Sequence, residues 1–236
     1  MAVFALVHGA WHGAWCFDRL VPALEAKGHR AVAFDLPGHG ADPTPPGQVT
    51  LDDYVARVGE VLARQPEPAH LLGHSMGGVV ITQAGERHAQ HVRSLVYLAA
   101  FLPRQGESLG SVAMPSAVTP HLRPDREARV VHFDPAGARD AFYLDCADAD
   151  VAAASARLSP QPIAPWAQAV QVGARYAALP RHYVECTFDK AIPLAEQRRM
   201  HGATPCRVHT LDAAHSPFYS MPERLAGVLD RIARES

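Results

Sequence analysis

The chain has 236 residues, of which 48% are hydrophobic and 19% charged, and its net charge is -2 with histidine neutral. That apolar share can fill the core of one α/β domain carrying a small insertion, and it is too high for a disordered chain. No basic stripe offers itself to nucleic acid, and no apolar run reaches the ~18 residues of a membrane span.

Ala2 to Val7 is an apolar run with β-branched and aromatic members, closed by His8-Gly9, and it predicts a buried parallel strand. A helix follows, with Trp15, Leu20, Val21 and Leu24 near one face and Gly28 placed to end it. Arg30 to Phe34 predicts a second strand, closed by the turn Asp35-Leu36-Pro37-Gly38-His39-Gly40, and the proline-rich stretch Ala41 to Val49 is a loop. Thr50 can cap the next helix with Asp53, and Leu51, Tyr54, Val55, Val58, Val61 and Leu62 give it an apolar face. Ala69 to Leu72 is a third strand, Met76 to His88 a helix, and Val92 to Ala99 a fourth strand.

This strand–helix alternation demands a parallel sheet covered by helices on both faces. It breaks at about Leu102. From there to Leu179 the chain is rich in Pro and Ala, with helical patches at Ala138 to Leu144 and Ala147 to Leu158 and no convincing strand. Residues 1–101 and 180–236 therefore read as the α/β core, and 102–179 as an inserted helical cap. The core pattern resumes with a strand at His182 to Cys186, a helix at Leu194 to His201 and a last strand at Cys206 to Leu211. Ser220-Met221-Pro222-Glu223 reads as a capping box opening a terminal helix to about Arg234.

Cys16, Cys146, Cys186 and Cys206 are scattered, which predicts free, buried thiols. The opening MAVFALVHGAW lacks a basic segment and a small-residue cleavage site, so the expected location is the cytoplasm. Fourteen histidines make charge and solubility sensitive to pH near 6 to 7.

Chemistry concentrates at Gly73-His74-Ser75-Met76-Gly77, a G-x-S-x-G between a predicted strand and a predicted helix. A serine at so sharp a turn takes a strained backbone, and Gly73 and Gly77 relieve the clashes that side chains would cause. Its Oγ is lifted clear of the sheet at a helix N-terminus, which favours developing negative charge. Ser75 is the candidate nucleophile.

Such a serine needs a base, and on sheets of this kind the chain order is Ser, acid, His. His215 follows the last strand in Asp212-Ala213-Ala214-His215-Ser216-Pro217 and is the candidate base. Asp189, just past the strand that ends at Cys186, is the candidate acid that would accept the Nδ1 proton. Asp212 is the rival, with Asp35 and Asp145 as more distant ones. An oxyanion hole needs two backbone N–H groups, and Met76 and Ala10 are placed to supply them. His8, His12, His39 and His74 read as loop-fixing hydrogen-bond partners rather than metal ligands. No metal and no cofactor is expected.

The set HGAWHGAW (His8 to Trp15), DLPGHG (Asp35 to Gly40), GHSMGG (Gly73 to Gly78), YVECTFDKAIP (Tyr183 to Pro193) and DAAHSP (Asp212 to Pro217) resembles the methylesterase and hydroxynitrile lyase branch of the α/β-hydrolases, with its bacterial esterase relatives. The resemblance runs through both halves of the core. It implies the α/β-hydrolase fold, Ser75, Asp189 and His215 as triad, Ala10 and Met76 as oxyanion donors, and Ser216 facing the substrate. The lyases of that branch place Thr in the first oxyanion loop and Lys after the catalytic histidine. This chain has Gly9 and Ser216 there, which favours the esterase.

Trp11, Phe101, Phe142, Tyr143 and Trp166 are the aromatics expected near the pocket, and His12 is counted with the substrate-binding residues. No Arg or Lys demands an anionic substrate. The expected substrate is a small, uncharged, fairly apolar carboxylic ester, cleaved through an acyl-enzyme on Ser75. The alternatives are a natural-product tailoring hydrolase or lactonase, a hydroxynitrile lyase-type C–C lyase, and a ligand-binding receptor on a hydrolase scaffold. A homodimer is left open.

Overall fold

The computed structural model describes residues 1–235. The first half of the core is β1 (Val3–Val7), a 3-10 turn (Ala14–Phe17), α1 (Leu20–Glu25), β2 (Arg30–Ala33), α2 (Leu51–Ala63), β3 (Ala69–His74), α3 (Gly77–Arg87) and β4 (Val92–Leu98). The single helix expected after β1 is split in two, a 3-10 turn and α1, which are separated at Asp18-Arg19. Gly28 ends this region at φ +81°, in the left-handed region that glycine enters without strain. Thr50 and Asp53 form the expected reciprocal capping box of α2.

The insertion comes next, with α4 (Leu109–Val112), β5 (Leu122–Asp125), β6 (Val130–Phe133), α5 (Ala138–Phe142), α6 (Asp148–Ser155), β7 (Gln161–Pro162), α7 (Ala164–Ala167) and α8 (Ala174–Ala178). The expectation of a purely helical cap is corrected here: β5, β6 and β7 form a three-stranded antiparallel sheet. Short strands carrying prolines and exposed side chains hide the period-two signal on which a strand reading rests. The core then resumes with β8 (Arg181–Cys186), α9 (Leu194–Ala203), β9 (Arg207–Leu211), α10 (Pro217–Ser220) and α11 (Pro222–Glu235). Ser220 does not cap α11. It closes α10, and its hydroxyl donates to Asp145 at 3.0 Å.

The main sheet has the order β2-β1-β3-β4-β8-β9, and every neighbouring pair is parallel. Helices α1 and α11 pack together, and α3 packs against both α2 and α8. β1 and β3 are buried along their whole length, as strands covered on both faces must be, whereas edge strand β9 is largely open. The four cysteines are free, three of them buried and Cys206 half-buried. Among the described residues no helix is long and apolar enough to cross a membrane. Parallel strands all point their C-terminal ends one way. The loops after β1, β3, β8 and β9 therefore meet at one end of the sheet, where sites form on open α/β sheets.

Candidate active site

Ser75 stands between β3 and α3 at φ +54°, a left-handed conformation that costs a non-glycine residue strain. Its neighbours hold it there. The Ser75 carbonyl accepts the N–H groups of Gly78 and Phe101, each at 3.0 Å. The glycines around it are needed for space: a Cβ on Gly73 would lie 2.5 Å from the Gly77 carbonyl oxygen, and one on Gly78 would lie 2.0 Å from that of Phe101. Gly9 lets the loop after β1 pass the nucleophile, since a Cβ there would lie 2.9 Å from the Ser75 Cβ.

His215 is buried, and its Nδ1 donates to Asp189 Oδ2 at 2.8 Å, which leaves Nε2 as the second ring nitrogen. The other carboxylate oxygen of Asp189 accepts the backbone N–H groups of Ala191 (2.8 Å) and Ile192 (2.9 Å). Gln197, on α9, adds an amide N–H to Oδ2 at 3.2 Å. The rivals are engaged elsewhere. Asp212 accepts the Thr187 hydroxyl, Asp35 the N–H groups of Ala14 and Ala41, and Asp145 the N–H of Ala214.

Ala10 and Met76 border the same cavity as Ser75. Among the described residues neither backbone N–H is taken up by a protein acceptor. Two unspent donors beside a serine are what a developing oxyanion requires. Trp11 follows Ala10 at φ +62°, unusual for so bulky a residue, and its indole donates to the Val131 carbonyl at 2.8 Å. The insertion therefore ties down the loop after β1.

Four histidines are buried around these loops, and each has a hydrogen-bond task. His8 accepts the Leu36 N–H, His12 bridges the Ala10 carbonyl and the Tyr143 hydroxyl, His39 meets Tyr54, and His74 Nε2 donates to the His215 carbonyl at 2.9 Å. Burial lowers the His8 pKa to about 4 and that of His12 to about 3, and it holds His39 and His74 well below the usual range. All four are neutral at pH 7.

The cavity holds about 540 Å³ of empty space, its mouth included. Trp11, Phe101, Phe142 and Trp166 line it, as expected from the sequence. Trp166 stands edge-on to Trp11, and Phe142 lies 5.9 Å from the His215 ring. His12 and Ser216 do not line it, and this corrects two expectations. Both His12 nitrogens are committed to the protein, and Ser216 is fully buried with a hydroxyl that meets no hydrogen-bond partner among the described residues. Tyr143 likewise points its hydroxyl at His12. Sequence reasoning missed the aliphatic wall of Leu109, Val118 and Ile192 and the exposed rim residue Met114, which lie in segments without periodicity. It also missed Gln197, whose place beside Asp189 exists only once α9 packs on β8.

Residues 4–228 match the model of the alpha/beta hydrolase family. A pyrethroid hydrolase of Sphingobium wenxiniae is 35% identical over 241 residues, covering 97% of this chain and 86% of its own. Methylesterase 7 of Arabidopsis thaliana is 31% identical, covering 98% and 95%. The crystal structure of a pyrethroid hydrolase from Sphingobium faniae superposes with a TM-score of 0.91 at 32% identity, covering 99% and 97%. On this similarity of sequence and structure, the chain belongs to the alpha/beta hydrolase family, in its methylesterase-like branch.

Proposed function

We propose that this enzyme hydrolyses uncharged, fairly apolar carboxylic esters of modest size through an acyl-enzyme on Ser75. One observation carries the reading: Ser75 borders an aromatic and aliphatic cavity with no charged residue on its described walls, beside the unspent Ala10 and Met76 amides. The names of the relatives, a pyrethroid hydrolase and a methylesterase, support ester hydrolysis.

In the first step His215 Nε2 takes the Ser75 proton as Oγ attacks the ester carbonyl. The Ala10 and Met76 amides receive the oxyanion, and Asp189 holds the imidazole and stabilises the imidazolium. The tetrahedral intermediate expels the alcohol, which takes the proton back from His215. In the second step water gives a proton to His215 and attacks the acyl-enzyme, and the acid leaves as Ser75 regains its proton. The apolar walls exclude other water from the acyl carbon.

The test is hydrolysis of p-nitrophenyl esters from acetate to octanoate by wild type and Ser75→Ala. Turnover by the wild type and a fall of ~10⁴-fold or more in kcat for the variant are expected. A variant that keeps most of its activity would remove Ser75 from the mechanism.

A further inference from the structure

Gln197 is a fully buried polar side chain beside the triad and has no role in the chemistry described so far. It is fully buried, one turn into α9. Its Oε1 accepts the Cys186 N–H at 3.1 Å. Its two Nε2 protons meet three acceptors, the Ile192 carbonyl at 2.7 Å, the Cys186 carbonyl at 3.2 Å and Asp189 Oδ2 at 3.2 Å, so at least one proton is shared. One amide thus binds the last residue of β8, the far side of the turn that follows, and the carboxylate that turn presents.

The carboxylate oxygen that Gln197 reaches is the same one that accepts the His215 proton. The two backbone N–H groups hold Oδ1, and among the described residues Gln197 is the one donor besides His215 on Oδ2. This further anchor, on the oxygen that His215 uses, narrows the remaining swing of the carboxylate and so the direction in which Oδ2 offers its lone pairs to the imidazole. We propose that Gln197 is a positioning residue for the ester hydrolysis, acting on His215 through Asp189. This rests on the serine-esterase reading above.

Three titratable groups surround Asp189. His215 faces it from the loop after β9, and Cys186 and Tyr183 lie near it on β8, both kept neutral by burial that pushes their pKa values up. Of these His215 alone donates to Oδ2, so without Gln197 that oxygen keeps no other donor among the described residues. Removing the amide leaves the carboxylate charge concentrated on Oδ2, which tightens its hold on the protonated imidazole.

The experiment compares wild type, Gln197→Met and Gln197→Glu. Methionine keeps the volume and removes both the donor and the acceptor. Glutamate beside the Asp189 carboxylate keeps its proton, because two close carboxyls do not both ionise, and so it restores a donor. Three properties are read: kcat and KM on a p-nitrophenyl ester, the acid limb of kcat/KM, and the downfield proton resonance of His215 Nδ1–H.

Gln197→Met is expected to lower kcat by about tenfold to a hundredfold at nearly constant KM, as loss of an orienting partner does elsewhere. Its acid limb should move to higher pH and its resonance should shift, and Gln197→Glu should recover most of kcat. If Gln197→Met melts at assay temperature, Gln197→Glu decides by its resonance and its kcat. A folded Gln197→Met with wild-type kcat, pH profile and resonance would overturn the proposal. So would a Gln197→Glu as impaired as the methionine variant. If the wild type cleaves no ester, the esterase reading fails, while the resonance still reports whether Gln197 orders the Asp189–His215 pair.

Discussion

Acidification should unfold this protein early, and the buried histidines set the magnitude. An unfolded histidine titrates near 6.5, whereas folded His8 and His12 do so at about 4 and about 3 because burial penalises the charged ring. Between those values and 6.5 the unfolded chain binds more protons than the native one. Stability from these groups is therefore present above pH 6.5 and is lost as pH falls toward 4. Going from pH 7 to pH 5 costs ~2 kcal/mol for each, or ~4 kcal/mol for the pair. That figure depends on the unfolded value alone, since both folded values lie below 5. His39 and His74 are displaced in the same direction and add to the loss. Typical domains hold only ~5–15 kcal/mol in all. Urea unfolding followed by tryptophan fluorescence at pH 7, 6 and 5 measures it. His12→Gln, less stable at pH 7, should lose ~2 kcal/mol less than wild type between pH 7 and 5. A wild-type loss below ~1 kcal/mol across that interval would refute the reasoning.

The remaining predictions concern the site. Asp189→Asn should lower kcat by ~10⁴-fold, because the amide favours the wrong imidazole tautomer. Asp212→Asn, which removes a charge and keeps an Oδ1 acceptor for the Thr187 hydroxyl, should leave kcat near wild type, and ester turnover by the two variants side by side checks the pair. Ile192→Trp should fill part of the cavity that Ile192 lines and move the acyl-chain preference toward acetate, read from kcat/KM along the ester series.

The core was legible because its inner strands β1, β3 and β4 are short and largely apolar, and because glycines punctuate the turns after β1, β2 and β3. Gly73, Gly77 and Gly78 mark the elbow before any coordinate is known, since only they leave room for the backbone to fold back on itself. The insertion was not legible. β5 reads Leu-Arg-Pro-Asp with exposed side chains, and β7 is only two residues long. Neither carries enough pattern to be recognised, and both exist because β6 pairs with them. Pocket residues divide along the same line. Aromatics such as Trp11 and Phe142 were readable by size, whereas Leu109 and Ile192 become wall only through tertiary placement. Ser216 shows the limit of reasoning by position, since the residue beside His215 turns inward and not toward the cavity.

The pairing of β4 with β8 spans the whole insertion and gives synthesis of the enzyme a definite order. Once Leu98 has left the ribosome, the four strands β2, β1, β3 and β4 can assemble, and the serine elbow with them. Asp189 and His215 are still untranslated, so on the proposed mechanism the nascent chain has a nucleophile and no base. Hydrolytic power arrives late, when the closing strands dock across a long loop, a slow non-local step. A cell making this protein carries no partly built esterase on its ribosomes. On the same mechanism, truncation anywhere before His215 is expected to give a catalytically silent fragment rather than a weakened enzyme.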